Sequence, residues 1–169
     1  TADNLAAALA RTPERGLLVA RAPQGNATMG SGIDKRELET SITNVMLGEA
    51  QAREAIVRCE DGYDLLPGNI DLTAAEIQLM DMAGREQKLK QALDTVRDGY
   101  DFVIVDCPPS LSLLTLNALT AADSILVPMQ CEYYALEGLS ALIDTIEALK
   151  GRLNPTLEIV GILGTMFDG

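Results

Sequence analysis

The chain has 169 residues, 47% of them hydrophobic and 22% charged, which is enough length and apolar content for a packed core and not the composition of a disordered segment. Its 25 acidic and 13 basic residues leave a net charge of -12, which argues against direct nucleic-acid binding by this chain. It has no His, so His-based triads, His general bases and His-ligated zinc are excluded. In chain order, Leu5, Ala8 and Leu9 lie at helical spacing within residues 4–10. Gly16 then opens a short apolar run, residues 17–20, that reads as a buried strand. Residues 21–32 are rich in Pro, Gly, Asn and Ser and read as a loop. Residues 35–56 are mixed and read as helical, and residues 63–66 as a weak strand. Thr73 and Glu76 have the spacing of a helix capping box, with Ile77, Met80 and Ala83 behind them as a core face. Leu89, Leu93 and Val96 mark a further helix, with Asp98-Gly99 as its glycine end. Residues 100–105, apolar and β-branched, are the strongest strand signal and run into Asp106-Cys107-Pro108-Pro109. Residues 113–121 read as helix and 124–128 as strand. Leu136, Leu139, Ile143, Ile146 and Leu149 line a long amphipathic helix that Asn154-Pro155 breaks, and residues 159–163 are a last strand.

Apolar strands alternating with helices imply an α/β fold. We expect a doubly wound, mainly parallel sheet with helices on both faces, in one domain over residues 1–169. Cys59, Cys107 and Cys131 are widely spaced and odd in number, so they read as small buried hydrophobes in a reducing cytoplasm, not as a disulfide framework or zinc site. No run of about 18 apolar residues occurs, so no membrane partner is expected, and no signal peptide is visible at the start.

Ligands of open parallel sheets bind beyond the carboxyl ends of the strands. Two such ends stand out: residues 20–28 and residues 106–109. An Asp closing a buried strand is costly unless paired or metal-linked, so Asp106 suggests a Walker-B-type carboxylate that holds Mg²⁺ through water. The other reading of Asp106 is a helix cap or an acceptor of loop N–H groups. Gln24-Gly25-Asn26 could approach a phosphate, since Gly permits close backbone contact, or could be a surface turn. Glu132, Tyr133, Tyr134 and Glu137 could line an interface or simply open the long helix.

Several stretches, in order and across essentially the whole chain, resemble the ParA/Soj partition ATPases. They are residues 4–10 (NLAAALA), 17–19 (LLV), 23–28 (PQGNAT), 65–72 (LLPGNIDL), 100–109 (YDFVIVDCPP), 113–119 (LLTLNAL), 130–139 (QCEYYALEGL) and 165–168 (TMFD). The resemblance implies a P-loop NTPase-like fold that binds ATP and Mg²⁺, forms a nucleotide-sandwich homodimer and then binds DNA non-specifically. It implies a ParB-type partner that stimulates hydrolysis, a cytoplasmic, nucleoid-associated location and a role in segregating chromosomal or plasmid DNA. Carried over by position, Asp106 is the Walker B carboxylate beside Mg²⁺. Gln24, Gly25 and Asn26 belong to switch I, Met166 and Phe167 lie near the adenine, and residues 132–137 lie toward the dimer interface.

The departures are equally specific. The family's lysine-rich phosphate loop falls just ahead of Thr1, and its further C-terminal elements fall beyond Gly169, so the match reads as a domain cut at both ends. Such loops supply most of the grip on phosphate, so nucleotide affinity should fall steeply without one. An open sheet edge is expected, including residues 100–105. The family's Asp-x-Asp before PQGN is Ala20-Arg21-Ala22 here, so no catalytic residue is intact. An inactive relative acting only through protein contacts is the alternative.

Overall fold

The computed structural model describes residues 2–21, 40–68, 72–107, 112–130 and 135–165. The chain divides into two compact units, Thr1–Ala118 and Leu119–Gly169. The first contains helix α1 (Ala2–Leu9), strand β1 (Gly16–Arg21), helices α2 (Ile42–Leu47) and α3 (Ala52–Ala55), and strands β2 (Val57–Arg58) and β3 (Asp64–Gly68). Helices α4 (Leu72–Met80) and α5 (Lys88–Asp94), strand β4 (Phe102–Val105) and most of helix α6 (Leu113–Ala121) complete it.

Its sheet has the order β2-β3-β1-β4. Strand β1 is central and parallel to both β3 and β4, and β2 adds an antiparallel edge. The expected mainly parallel sheet is therefore present, with β4 at its other edge. Strand alternation sorts the core into two faces. Leu18, Leu65 and Ile104 are in register and pack with Ala6, Cys59 and Tyr63 beneath α1. Val19 and Val105 point the other way, toward Ile42 and Met46 of α2 and Leu89 of α5. Helices thus cover both faces. Leu17, Leu18 and Leu66 are fully buried, each contributing roughly 1.5–3 kcal/mol. Gly16 lies beside Phe102 in register, and a Cβ there would clash with the edge of the Phe102 ring.

Several expected elements are corrected. Residues 40–56 form two short helices because Gly48 adopts a left-handed conformation (φ 79°) and closes α2. Helix α4 begins at Leu72, so Thr73 lies inside its first turn and is not its cap. Its core face is Ala75 and Leu79, while Ile77 and Met80 are 62% and 54% exposed and Ala83 lies outside the helix. This segment is apolar nearly all round, so its spacing could not choose the buried side. Helix α5 ends at Asp94, where the Thr95 hydroxyl donates to the Ala92 carbonyl at 2.7 Å. Asp98-Gly99 belongs to a separate 3-10 turn, Arg97–Gly99. Cys59 is buried as expected, but Cys107 is exposed, because it lies past the end of β4. Cys131 lies outside the described residues.

At the amino ends of the strands, Asp64 is buried and holds three partners. Arg58 Nη1 donates to its Oδ1 at 2.9 Å, the Tyr100 hydroxyl donates to its Oδ2 at 2.8 Å, and Arg15 stands 4.0 Å away, its guanidinium 5.5 Å above the Tyr100 ring. Burial, reinforced by the bond to Asp64, pushes the Tyr100 hydroxyl up to about 12.

The second unit contains β5 (Ser124–Gln130), α7 (Ala135–Leu153) and β6 (Glu158–Thr165). Strands β5 and β6 run parallel with an irregularity between Ile125 and Leu126. Among its described residues Val127, Ile146 and Leu157 are the buried apolar ones. Asn154 does more than break α7: its Nδ2 donates to the Leu119 carbonyl at 3.0 Å and the Ala122 carbonyl at 2.6 Å, satisfying orphan groups at the end of α6.

Candidate functional site

Strands β1, β3 and β4 end at one side of the first sheet, with Val19 opposite both Leu66 and Val105. Asp106 follows immediately. Its backbone N–H donates to the Val19 carbonyl at 2.8 Å, so the ladder extends one residue past β4 and fixes the Asp106 backbone at the sheet's carboxyl end. The residue itself is exposed there. Asp106 thus stands at a strand end as expected, but β4 is only half-buried and Asp106 is exposed, so the burial cost that pointed to a paired or metal-linked carboxylate does not arise.

Beside Asp106 lies an apolar pocket of about 70 Å³. Val19 and Val105 form its floor, Met46 of α2 and Leu89 of α5 one wall, and Leu114 and Ala118 of α6 another, with Asp106 and Cys107 also lining it. Although Cys107 is exposed as a residue, its thiol is desolvated enough to be pushed up to about 11, with the neighbouring Asp106 charge adding to the rise. It is thus a thiol, not a thiolate, at neutral pH.

One buried side chain builds this wall. Asn117 is fully buried; its Oδ1 accepts the Leu89 N–H at 3.1 Å, and its Nδ2 donates to the Arg85 carbonyl at 2.8 Å and the Leu113 carbonyl at 2.9 Å. The amide joins α6 to the first turn of α5, where N–H groups have no intrahelical partner. Sequence reading quoted Asn117 only within a matching stretch. Its signal is a lone amide among Leu116, Ala118 and Leu119.

The other expected site residues are not brought to Asp106 by anything described. Gln24, Gly25, Asn26, Ala22, Met166, Phe167 and residues 131–134 lie outside the described residues. Ala20 is in β1, which ends at Arg21. Among the described residues no group of three or more His, Cys, Asp or Glu could hold a metal by itself, and no helix is long and apolar enough to cross a membrane.

A mainly parallel sheet covered on both faces, with an acidic residue just past a strand's carboxyl end, fits the P-loop NTPase class of α/β proteins. The sequence profile of the family described as "AAA domain" matches residues 1–159. The chain is 47% identical over 171 residues to the chromosome partitioning protein ParA of Caulobacter vibrioides, covering 99% of this chain and 64% of that protein. It is 47% identical over 169 residues to the sporulation initiation inhibitor protein Soj of Bacillus subtilis, covering 99% of this chain and 67% of that protein. A solved structure of cobyrinic acid a,c-diamide synthase from Mycobacterium smegmatis, with bound ATP analog and magnesium, superposes with a TM-score of 0.88 at 43% identity, covering 99% of this chain and 69% of that one. The chain therefore belongs to the ParA/Soj family of P-loop ATPases. It spans about 64% of the length of the first curated relatives it matches.

Proposed function

We propose that the protein is a ParA-type nucleotide switch of chromosome or plasmid partitioning. In this reading it binds Mg²⁺ and ATP, pairs with a second copy, and in that state engages DNA and a ParB-type partner. The observation that carries the reading is the placement of Asp106, fixed by the Val19 carbonyl at the carboxyl end of the sheet. The donor chemistry agrees. Mg²⁺ is usually held by one or two carboxylates together with waters and substrate phosphates, not by an all-protein cage, and Asp106 offers a carboxylate at the strand end. Bound there, Mg²⁺ would neutralise phosphate charge.

The chain's own residues do the rest. The Val19–Asp106 bond fixes the backbone that carries the carboxylate, and the apolar pocket lies beside it. Gln24, Gly25 and Asn26 contribute to the phosphate side, Met166 and Phe167 to the base, and residues 132–137 to the contact between copies. The test is nucleotide-dependent assembly of the complete gene product. With ATP and Mg²⁺ it should shift from monomer to dimer on sizing with light scattering and should then co-sediment with DNA. A mass unchanged by nucleotide, with DNA binding equal in its presence and absence, would overturn the reading.

A second reading rests on Ala20 and Ala22, which replace the two switch acids of the family pattern and can hold neither water nor metal. It makes the protein a nucleotide-binding scaffold without turnover. Phosphate release separates the two: partner-stimulated turnover supports the first reading, and assembly without turnover the second.

A further inference from the structure

A second cleft in the first unit shares only Met46 with the pocket beside Asp106. It is an open groove of about 470 Å³, within the size range of ligand sites. One wall is the face of α5 that carries Lys88, Gln91, Ala92 and Thr95 at helical spacing. The other is the end of α2 and the start of α3, with Met46 and Ala52 buried at its base and Arg53 at its rim.

The charge of this groove opposes that of the chain. Acidic residues outnumber basic ones 25 to 13 overall, yet Arg53 and Lys88 line the groove and no acidic residue does. Arg15, Arg58, Arg85, Lys90 and Arg97 each stand within ion-pair distance of a carboxylate. Arg53 and Lys88 do so with no described residue. The nearest acids in sequence are engaged elsewhere: Glu54 accepts the Gln51 N–H at 2.9 Å, Glu49 accepts Asn44 Nδ2 at 2.9 Å, and Glu86 accepts from Arg85 Nε at 3.3 Å. Met46 and Met82 give the groove an adaptable apolar lining, and Met and Arg are enriched at protein interfaces. Two helical walls with an apolar base and a cationic rim match the helix-in-groove mode of peptide recognition.

We propose that this groove docks a short acidic amphipathic helix of a partner protein. An apolar side chain of the partner rests on Met82, above the buried Met46 and Ala52, and flanking carboxylates pair with Arg53 and Lys88. The site is separate from Asp106 and does not depend on nucleotide. At about 0.1 M salt the Debye length is about 10 Å, so acidic residues farther than that from Arg53 and Lys88 are largely screened.

The probe is a fluorescent helical peptide of Glu and Ala with Leu residues on one face, titrated against the protein by anisotropy. Its counterpart carries Lys in place of every Glu. The Glu peptide should bind with a Kd below about 100 μM, and the Lys peptide should not bind measurably. Combined Arg53→Glu and Lys88→Glu should weaken the Glu peptide at least about tenfold, equivalent to about 1.4 kcal/mol. Arg11→Glu, on an exposed residue outside the groove, should leave it unchanged. If the reversed-charge variant does not fold, Arg53→Gln with Lys88→Gln should still weaken binding severalfold. Absent binding, equal binding of both peptides, equal loss with Arg11→Glu, or full competition by inorganic phosphate would each overturn the proposal.

Discussion

Replacing Asn117 by Ala should destabilise the first unit severely. The amide is 0% exposed and makes three hydrogen bonds of 2.8–3.1 Å. Truncation leaves the buried Leu89 N–H and the part-buried Arg85 carbonyl without that partner. The Leu113 carbonyl keeps its place in the α6 ladder, so its loss is minor. Each orphaned buried group costs about 1–3 kcal/mol, and a small void adds to this, so the total is about 3–5 kcal/mol. That is a large fraction of the roughly 5–15 kcal/mol that holds a typical domain folded. Asn117→Asp separates the two halves of the interaction. Its carboxylate still accepts from Leu89 but faces two carbonyl oxygens where the amide donated. At neutral pH it should cost at least as much as Ala. The sign follows from its carboxyl, which burial and the facing carbonyls hold above the ordinary value of about 3.9, so acidification should narrow the gap. Urea denaturation followed by circular dichroism measures both variants. A loss below about 1 kcal/mol for Asn117→Ala, or an Asp variant as stable as wild type at neutral pH, would refute the reasoning.

Three further outcomes follow from the packing. Gly16→Ala should cost about 1–3 kcal/mol in urea melts, because the added methyl meets the Phe102 ring in the neighbouring strand. Leu79→Ala should cost about 2–5 kcal/mol, while Ile77→Ser on the same helix should stay within about 0.5 kcal/mol. Similar losses for the two would show that the exposed side of α4 is wrongly assigned. The Tyr100 proton is held more tightly in the folded state than at the ordinary value of 10, so its contribution to stability is whole below pH 10 and is lost as pH rises through about 12. Urea midpoints of wild type should therefore drop more steeply over that window than those of Tyr100→Phe; parallel curves would remove the role given to the Asp64 bond.

The elements legible in the sequence are those fixed by local chemistry. Residues 17–20 and 100–105 are apolar runs that can bury both faces of a strand, and they fall within or around β1 and β4. Helix α6 has the bounds its pattern implies, and α7 stops at Leu153 before Asn154-Pro155. The place of Asp106 at the end of β4 was legible, but its exposure there removes the burial cost from which a metal role was argued. Elements decided by partners distant in sequence were not legible. The two residues of β2 carry no periodicity and exist by pairing with β3. The pocket wall joins α2, α5 and α6, and no local pattern announces that Asn117 reaches Arg85 and Leu89. Likewise Asp64 gathers Arg15, Arg58 and Tyr100 from separate segments at the strand starts. The reversed face of α4 shows the same limit: where both sides of a helix are apolar, the neighbours choose.

The most direct test of the nucleotide reading is calorimetric titration of Mg²⁺ and ATP into the complete gene product and its Asp106→Asn variant, each with and without Mg²⁺. We predict binding tighter than about 100 μM, roughly 5.5 kcal/mol, that is Mg²⁺-dependent and at least about tenfold weaker in the variant, with the two proteins alike when Mg²⁺ is withheld. Equal affinity in all four titrations, or no heat from a folded sample, would contradict the placement of Asp106 at a Mg²⁺–nucleotide site.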